Sequence, residues 1–198
     1  MKFFVFLNRV INSLIFRVLV SGTKSNIRVA GFSHVNVRKH QIFVGDDFFS
    51  GKDLYVSLSP FTKCRIGDAV MFGPEVMILS GNHLTNYCDG HMRYNDRHDS
   101  SAKSIVVENG AWVGARSILL SGSELGEGCI VGANSLVNSR VLPYSIFGGQ
   151  PARFLKCRFD NISELSQVLA STNSKYTVAC IQNEYQKYGL DITWMNAE

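Results

Sequence analysis

At 198 residues, 45% of them hydrophobic and 18% charged, the chain has the make-up of one substantial globular domain rather than a disordered or fibrous one. A formal net charge of +4, with no dense Lys/Arg run and no stacking motif, excludes nucleic acid as the organising partner. The five cysteines (Cys64, Cys88, Cys129, Cys157, Cys180) are scattered and odd in number. They lack CxxC spacing, which excludes a disulfide or zinc framework and points to a reducing cytoplasm.

Residues 1–20 form the first predicted element, an amphipathic helix. On a helical wheel Lys2, Asn8, Arg9, Asn12, Ser13 and Arg17 share one side, and Phe3, Leu7, Val10, Ile11, Leu14 and Val18 share the other. Arg9, Asn12 and Arg17 interrupt the apolar run and no small-residue cleavage site follows it, so the segment is neither a membrane span nor a signal peptide. Two roles are open to its apolar side. It can cover the open end of the following structure, as terminal repeats require. It can instead lie on a membrane surface with the basic residues at the headgroups. The cap is the favoured expectation.

Residues 21–79 carry short related phrases: Val44-Gly45-Asp46, Ser50-Gly51-Lys52, Ile66-Gly67-Asp68 and Phe72-Gly73-Pro74, leading to Ile78. Their phase slips between Val56 and Ile66, because ten is not a multiple of six, which predicts a bulge or small loop at one corner. Residues 80–104 break the pattern altogether. They are polar and hold His83, His91 and His98, three of the five histidines. A long loop thrown out of a regular framework is often functional. His83 stands at its root, directly after Ile78-Leu79, where a rigid framework can fix it.

Residues 105–142 are regular. Val107, Val113, Leu119, Leu125, Val131 and Val137 recur every six residues. Compact residues follow four positions later at Ala111, Ser117, Ser123, Cys129 and Ser135, then the larger Val141. A helix would space its apolar residues by three and four, and a strand by two. A six-residue period instead fits a coil of very short parallel strands with one inward aliphatic residue per flat face and compact residues at the corners. Cys129 is accordingly a packing residue. Residues 143–159 form an exit segment. The tail, residues 160–198, reads as mostly helical, with Ser163 as N-cap before Glu164-Leu165; it packs on the coil or on a neighbouring subunit. The domain division is therefore 1–20, 21–159 with its extruded loop 80–104, and 160–198.

Several motifs occur in one order: Asn82-His83 at the loop root, Ala111-Trp112-Val113-Gly114-Ala115, Gly126-Glu127-Gly128-Cys129-Ile130-Val131-Gly132-Ala133-Asn134-Ser135, and Pro143-Tyr144-Ser145-Ile146-Phe147-Gly148-Gly149-Gln150-Pro151-Ala152-Arg153. Over roughly residues 40–158 the chain resembles the hexapeptide-repeat acyltransferases, within them the galactoside, maltose and xenobiotic acetyltransferases and the bacterial surface-polysaccharide O-acetyltransferases. The resemblance implies an all-β solenoid, a left-handed parallel β-helix. It also implies a homotrimer in which the extruded loop of one subunit reaches the coil of another.

By the same resemblance, His83 matches the general base that takes a proton from the acceptor hydroxyl as it attacks acetyl-CoA. Imidazole suits this because it titrates near neutrality. Asn82 orients His83 or the acceptor, or is a turn residue. Trp112, Ala115 and Ala133 match positions along the acetyl-CoA groove, although the fold itself wants small side chains at the last two. Asn138-Ser139 stands where relatives often carry Thr-Lys, which removes a positive charge at the CoA end that Arg140 can replace. Arg153 and Lys156 match basic positions that meet CoA phosphates. No metal is implied: a γ-type carbonic anhydrase needs three histidine ligands, and residues 105–142 contain no histidine.

The expected function is acetyl transfer from acetyl-CoA to a sugar hydroxyl, in a bacterial surface polysaccharide or its precursor. The acceptor would be held at the cytoplasmic face of the membrane, where residues 1–20 could make a peripheral contact. An N-acetyltransferase of a nucleotide-linked amino sugar and a non-catalytic trimeric scaffold are the alternatives.

Overall fold

The computed structural model describes residues 2–23, 25–38, 40–95 and 101–190. The chain winds into a three-faced coil. Its strands are two to five residues long and assemble into sheets of seven, five and five strands. Within each turn the chain passes from the seven-stranded first face to the second face, with Met77–Ser80, and then to the third, with Ile105–Val107. Every strand pair is parallel except the last, where Arg153–Cys157 folds back antiparallel on Ser145–Gly148.

Register explains the period. On the third face Val44, Ile66, Val107, Leu125 and Val141 stack in one inward column. On the first face Ser50, Phe72, Val113, Val131 and Phe147 do so. On the second, Val56, Ile78, Leu119 and Val137 do so. Apart from Ile66, at 5% exposure, these residues are at most 1% exposed, and each fully buried aliphatic contributes about 1.5–3 kcal/mol.

Between successive inward residues the chain takes six steps at two of the three corners in every turn, as in Val107 to Val113 to Leu119. The third corner, between the second and third faces, absorbs all variation. Val56 to Ile66 takes ten steps, Ile78 to Val107 twenty-nine, Leu119 to Leu125 six and Val137 to Val141 four. The slip after Val56 is thus the expected small loop, and the chain leaves the coil at the same corner one turn later, after Ser80, and rejoins it at Ile105. The last, shortened corner also corrects the reading of Val141: it is the next inward residue of the third face, not a corner residue.

The compact residues do lie under the corners. Ser117, Ser123 and Ser135 are buried and donate to backbone carbonyls, Ser117 Oγ and Ser135 Oγ to Gly132 O at 2.9 and 2.7 Å and Ser123 Oγ to Val137 O at 2.8 Å. Cys129 is fully buried, and burial pushes its thiol far above the usual range. Successive turns approach so closely at the corner between the first and second faces that a Cβ on Gly114 would lie 2.5 Å from Ala133 N.

Helix α1, Lys2–Leu19, lies across the open edge of the first turn, but not on its apolar side. Ser13, Phe16 and the following Val20 are the buried positions, and Phe16 stacks on Phe48 at 5.9 Å between centroids. Asn12 Nδ2 donates to Ala30 O at 3.3 Å. Leu7, Val10, Ile11, Leu14, Ile15 and Val18 face outward, with Leu14 56% and Val18 85% exposed. The expected cap exists, but the apolar side does not form it, because the coil's edge strand Arg28–Val29 presents backbone groups that need polar partners. Among the described residues no helix is long and apolar enough to cross a membrane.

The tail forms α2, Ile162–Ser171, and α3, Val178–Lys187. They bury Leu165, Leu169, Ile181 and Tyr185 against the last turns, and Tyr185 Oη donates to Pro143 O and Tyr144 O, both at 2.9 Å. The N-cap of α2 is Asn161, whose side chain accepts from Glu164 N at 2.9 Å. Ser163 is therefore a first-turn residue. Both candidates can cap, but only Asn161 has extended backbone.

Candidate active site

The variable corner carries a buried polar network where the long loop begins. Gln41 Nε2 donates to Ser59 O at 2.7 Å and to Thr62 O at 2.9 Å, and Ser59 N donates to Ser80 O at 2.7 Å. The hydroxyls of Thr62 and Ser80 share a further short hydrogen bond. All four side chains are buried, so the network ties the small loop of one turn to the start of the long loop in the next. Gly81 follows at φ +89°, and a Cβ there would lie 2.2 Å from Ser59 Cβ. Only glycine lets the chain leave the coil so abruptly.

Two residues further, His83 is exposed beside the coil. Asn82 lines a groove of about 360 Å³ that runs over the second face past Leu79, Leu120 and Ser121 to Asn138. Asn82 and Asn138 are thereby brought to one cleft, with the exposed Ser139 next in the chain. His91 is exposed at the outer loop, against Tyr94 with 6.4 Å between ring centroids. His98 lies outside the described residues.

The other predicted positions lie on the first face and at its corner with the second. Ala115 and Ala133 stand one turn apart at the corner between the first and second faces, Ala115 half-buried and Ala133 exposed, and Ala115 O accepts from Asn134 N at 2.8 Å. Trp112, 47% exposed, stands in an outward row on the first face between Met71 and Ile130, and the row continues through Ile146 to Lys156. Arg153, opposite Gly148 on the last strand, is exposed, and its guanidinium donates to Ala152 O at 3.0 Å. Trp112, Ala115, Ala133, Arg153 and Lys156 therefore form one bank. Asn82, His83, Asn138 and Ser139 form the other. Between them lies the outward surface of the second face, which carries Tyr55, Met77, Ile118 and Leu136 in one row.

Arg140 belongs to neither bank. It points from the third face to Glu184 at 2.6 Å and Glu124 at 3.8 Å, so its charge is engaged by carboxylates rather than left for a phosphate. The sequence reading did not single out Ser121 or the Gln41–Ser59–Thr62–Ser80 network. Ser121 is detectable as the residue one eighteen-residue turn before Ser139, whereas the network falls where the period is broken and leaves no repeat to follow.

The family described as bacterial transferase hexapeptide (six repeats) matches residues 104–139. A chloramphenicol acetyltransferase of Klebsiella aerogenes is 38% identical over 159 residues, 73% of this chain and 73% of that one. Two other curated chloramphenicol acetyltransferases are matched over 30% and 29% of their own length. Among solved structures, the hexapeptide-repeat acetyltransferase VCA0836 of Vibrio cholerae has a TM-score of 0.63 at 28% identity, covering 78% of this chain and 83% of that one. The same protein in complex with acetyl coenzyme A has a TM-score of 0.60 at 26% identity, covering 78% and 80%. A maltose O-acetyltransferase from Clostridium difficile 630 has a TM-score of 0.55 at 27% identity, covering 72% of each chain. The chain belongs to the hexapeptide-repeat acetyltransferases. It is an acyltransferase built on their left-handed parallel β-helix.

Proposed function

We propose that the protein is an acetyl-CoA-dependent O-acetyltransferase acting on a sugar hydroxyl of a bacterial surface polysaccharide or its precursor. The observation that carries this reading is the position of His83, held at the root of the longest insertion by Gly81 and the buried network, beside a cleft lined by Asn82, Ser121 and Asn138. Such a cleft offers hydrogen-bonding amides and hydroxyls to a polyol, and the exposed His83 follows its lining residue Asn82 in the chain. His83 takes the acceptor proton as the oxygen forms its bond to the thioester carbonyl carbon. The carbon–sulfur bond then breaks, and the proton passes from His83 to the departing CoA sulfur. Asn82 orients the acceptor. Ala115 and Ala133 offer main-chain groups to the pantetheine arm beside Trp112, with Arg153 and Lys156 at the phosphates and Asn138 and Ser139 near the CoA end.

The two banks stand apart by about six residues of chain, up to ~20 Å. This supports a homotrimer in which the loop bank of one subunit faces the CoA bank of the next across the apolar second face. In this reading residues 21–159 form the catalytic unit, residues 1–20 its cap and membrane-facing element, and residues 160–198 a packed tail. The acceptor is a lipid-carried saccharide at the cytoplasmic face of the membrane.

One observation favours a second reading, acetylation of an antibiotic hydroxyl: the 38% identity to the Klebsiella chloramphenicol acetyltransferase. The test is CoA release from acetyl-CoA across free sugars, nucleotide sugars, amino sugars and chloramphenicol. Preference for a saccharide hydroxyl is expected. Preference for chloramphenicol selects the second reading, and preference for an amine selects N-acetylation of an amino sugar.

A further inference from the structure

Charge is distributed unevenly along this chain. Its first forty residues hold seven Lys/Arg (Lys2, Arg9, Arg17, Lys24, Arg28, Arg38, Lys39) and no Asp or Glu. The other 158 hold thirteen basic and sixteen acidic residues, a net charge of −3 against +7. The +4 of the whole molecule therefore conceals a cationic end. The fold puts the described part of that segment in one place, as α1 and the first turn of the coil. Arg9, Arg28 and Arg38 are all exposed there.

The same end carries the outward stripe Leu7, Val10, Ile11, Leu14, Ile15 and Val18. Spacings of three and four residues place these on one side of α1, while Ser13, Phe16 and Val20 hold the other side to the coil. The helix can thus cap the coil and present its apolar side at once. Apolar side chains left outward on a segment with exposed Arg9, Arg28 and Arg38 and no acidic residue of its own match an interface of acyl chains beneath anionic headgroups; the carboxylates that reach this segment, Asp46 and Asp47, are engaged by Ser25 and Asn26. A second copy of the same end would set one +7 segment against another.

We infer that the α1 end of the coil is an anionic-membrane docking surface, with α1 lying in the bilayer interface and the coil standing away from it. This does not depend on which acceptor is acetylated. Three such ends on one side of a trimer would act together, and avidity would exceed the weak binding of one short helix.

The test is co-sedimentation of the full chain with vesicles of phosphatidylcholine alone and of phosphatidylcholine with one-third phosphatidylglycerol. Binding to the anionic vesicles is expected, weakened by 0.5 M NaCl as screening shortens the reach of the charges. The Leu14→Glu/Val18→Glu variant should lose binding by at least ~10-fold with unchanged circular dichroism and melting temperature. Arg9→Gln/Arg28→Gln, which keeps the stripe, should lose most of the preference for anionic over neutral vesicles. No binding by the unaltered chain, or full binding by Leu14→Glu/Val18→Glu, overturns the inference. So does light scattering in which that variant halves the mass of the assembly, since the stripe would then be a contact between copies.

Discussion

Ser13 Oγ accepts the backbone N–H of Val29 at 2.9 Å and donates its own proton to Arg9 O at 2.8 Å, so a helix side chain closes the edge strand of the coil. Ser13→Ala leaves a buried N–H without a partner, which should cost about 1–3 kcal/mol. Phe16→Ala, which empties the contact with Phe48, should cost about 3–5 kcal/mol. Leu14→Ser, on the outward side, should change stability by no more than about 0.5 kcal/mol. Denaturant unfolding of the three variants checks the orientation of the helix. Equal losses for Ser13→Ala and Leu14→Ser would contradict it.

His83→Ala should lower turnover by about 10²- to 10⁴-fold, the ordinary worth of a general base. The residue is exposed, so melting temperature should not move. A purified variant with unchanged turnover would remove His83 from the chemistry. Asn82→Ala should act mainly on the KM of the acceptor, because Asn82 lines the cleft beside the histidine.

Arg153→Ala and Lys156→Ala should raise the KM for acetyl-CoA more than they lower kcat. A remote phosphate is held equally in the ground and transition states. Acetyl-dephospho-CoA should narrow the difference between these variants and the unaltered enzyme. Arg140→Ala should leave the KM for acetyl-CoA alone and act through its ion pair with Glu184. An exposed pair of this kind contributes about 0–1 kcal/mol. Steady-state kinetics on the three variants separate the two roles.

The coil was legible because burial and register act on the same residues. Leu119 lies between Ile78 and Val137 in its column and must be aliphatic to fill the interior, so the period is written directly into the chain. The corner between the second and third faces tolerates ten, twenty-nine or four steps because only its ends are fixed, and its variation reads as broken phase. The orientation of α1 was not legible. A helical wheel separates two sides but cannot say which one meets the coil, and here unpaired backbone at Val29 selects the side with Ser13. Arg140 was misread for a similar reason: the match in sequence places it after Ser139, while its partner Glu184 lies 44 residues away. The residues of the two banks were named one by one from the resemblance, but the separation of the banks by a whole face needs the topology.

The thiols should divide sharply. Cys64 and Cys129 are buried, and desolvation raises both, Cys64 to about 12. Cys88 and Cys180 are exposed, and the Cys180 thiol is lowered by hydrogen bonding to Thr177 at the start of α3. N-ethylmaleimide at neutral pH should label Cys180 and Cys88 quickly and leave Cys64 and Cys129 unlabelled until unfolding, as read by peptide mass spectrometry. For Cys180 the lowered value means that its thiolate is already present at a pH where an ordinary thiol is protonated, so its labelling should persist to lower pH than that of a free cysteine. Rapid labelling of Cys129 in the folded protein would contradict its place under the corner.

The separation of the banks gives the most demanding prediction. His83→Ala disables the loop bank. Ala133→Trp, at an exposed corner position, should obstruct the opposite bank while sparing the interior. Each variant alone should be nearly inactive. If a site takes its loop from one subunit and its corner from the next, equal mixing of the two chains before assembly creates some sites with both banks intact. Random assembly makes roughly a quarter of the sites whole, because each needs an unaltered loop on one side and an unaltered corner on the other. Activity in the co-assembled mixture should therefore rise to about a quarter of that of the unaltered trimer. Sites contained within one chain would give no recovery, since every chain would still carry one of the two changes. Co-expression with two affinity tags, followed by CoA-release assay of the doubly tagged assemblies, in which about one site in three is whole because pure trimers are removed, distinguishes the two arrangements.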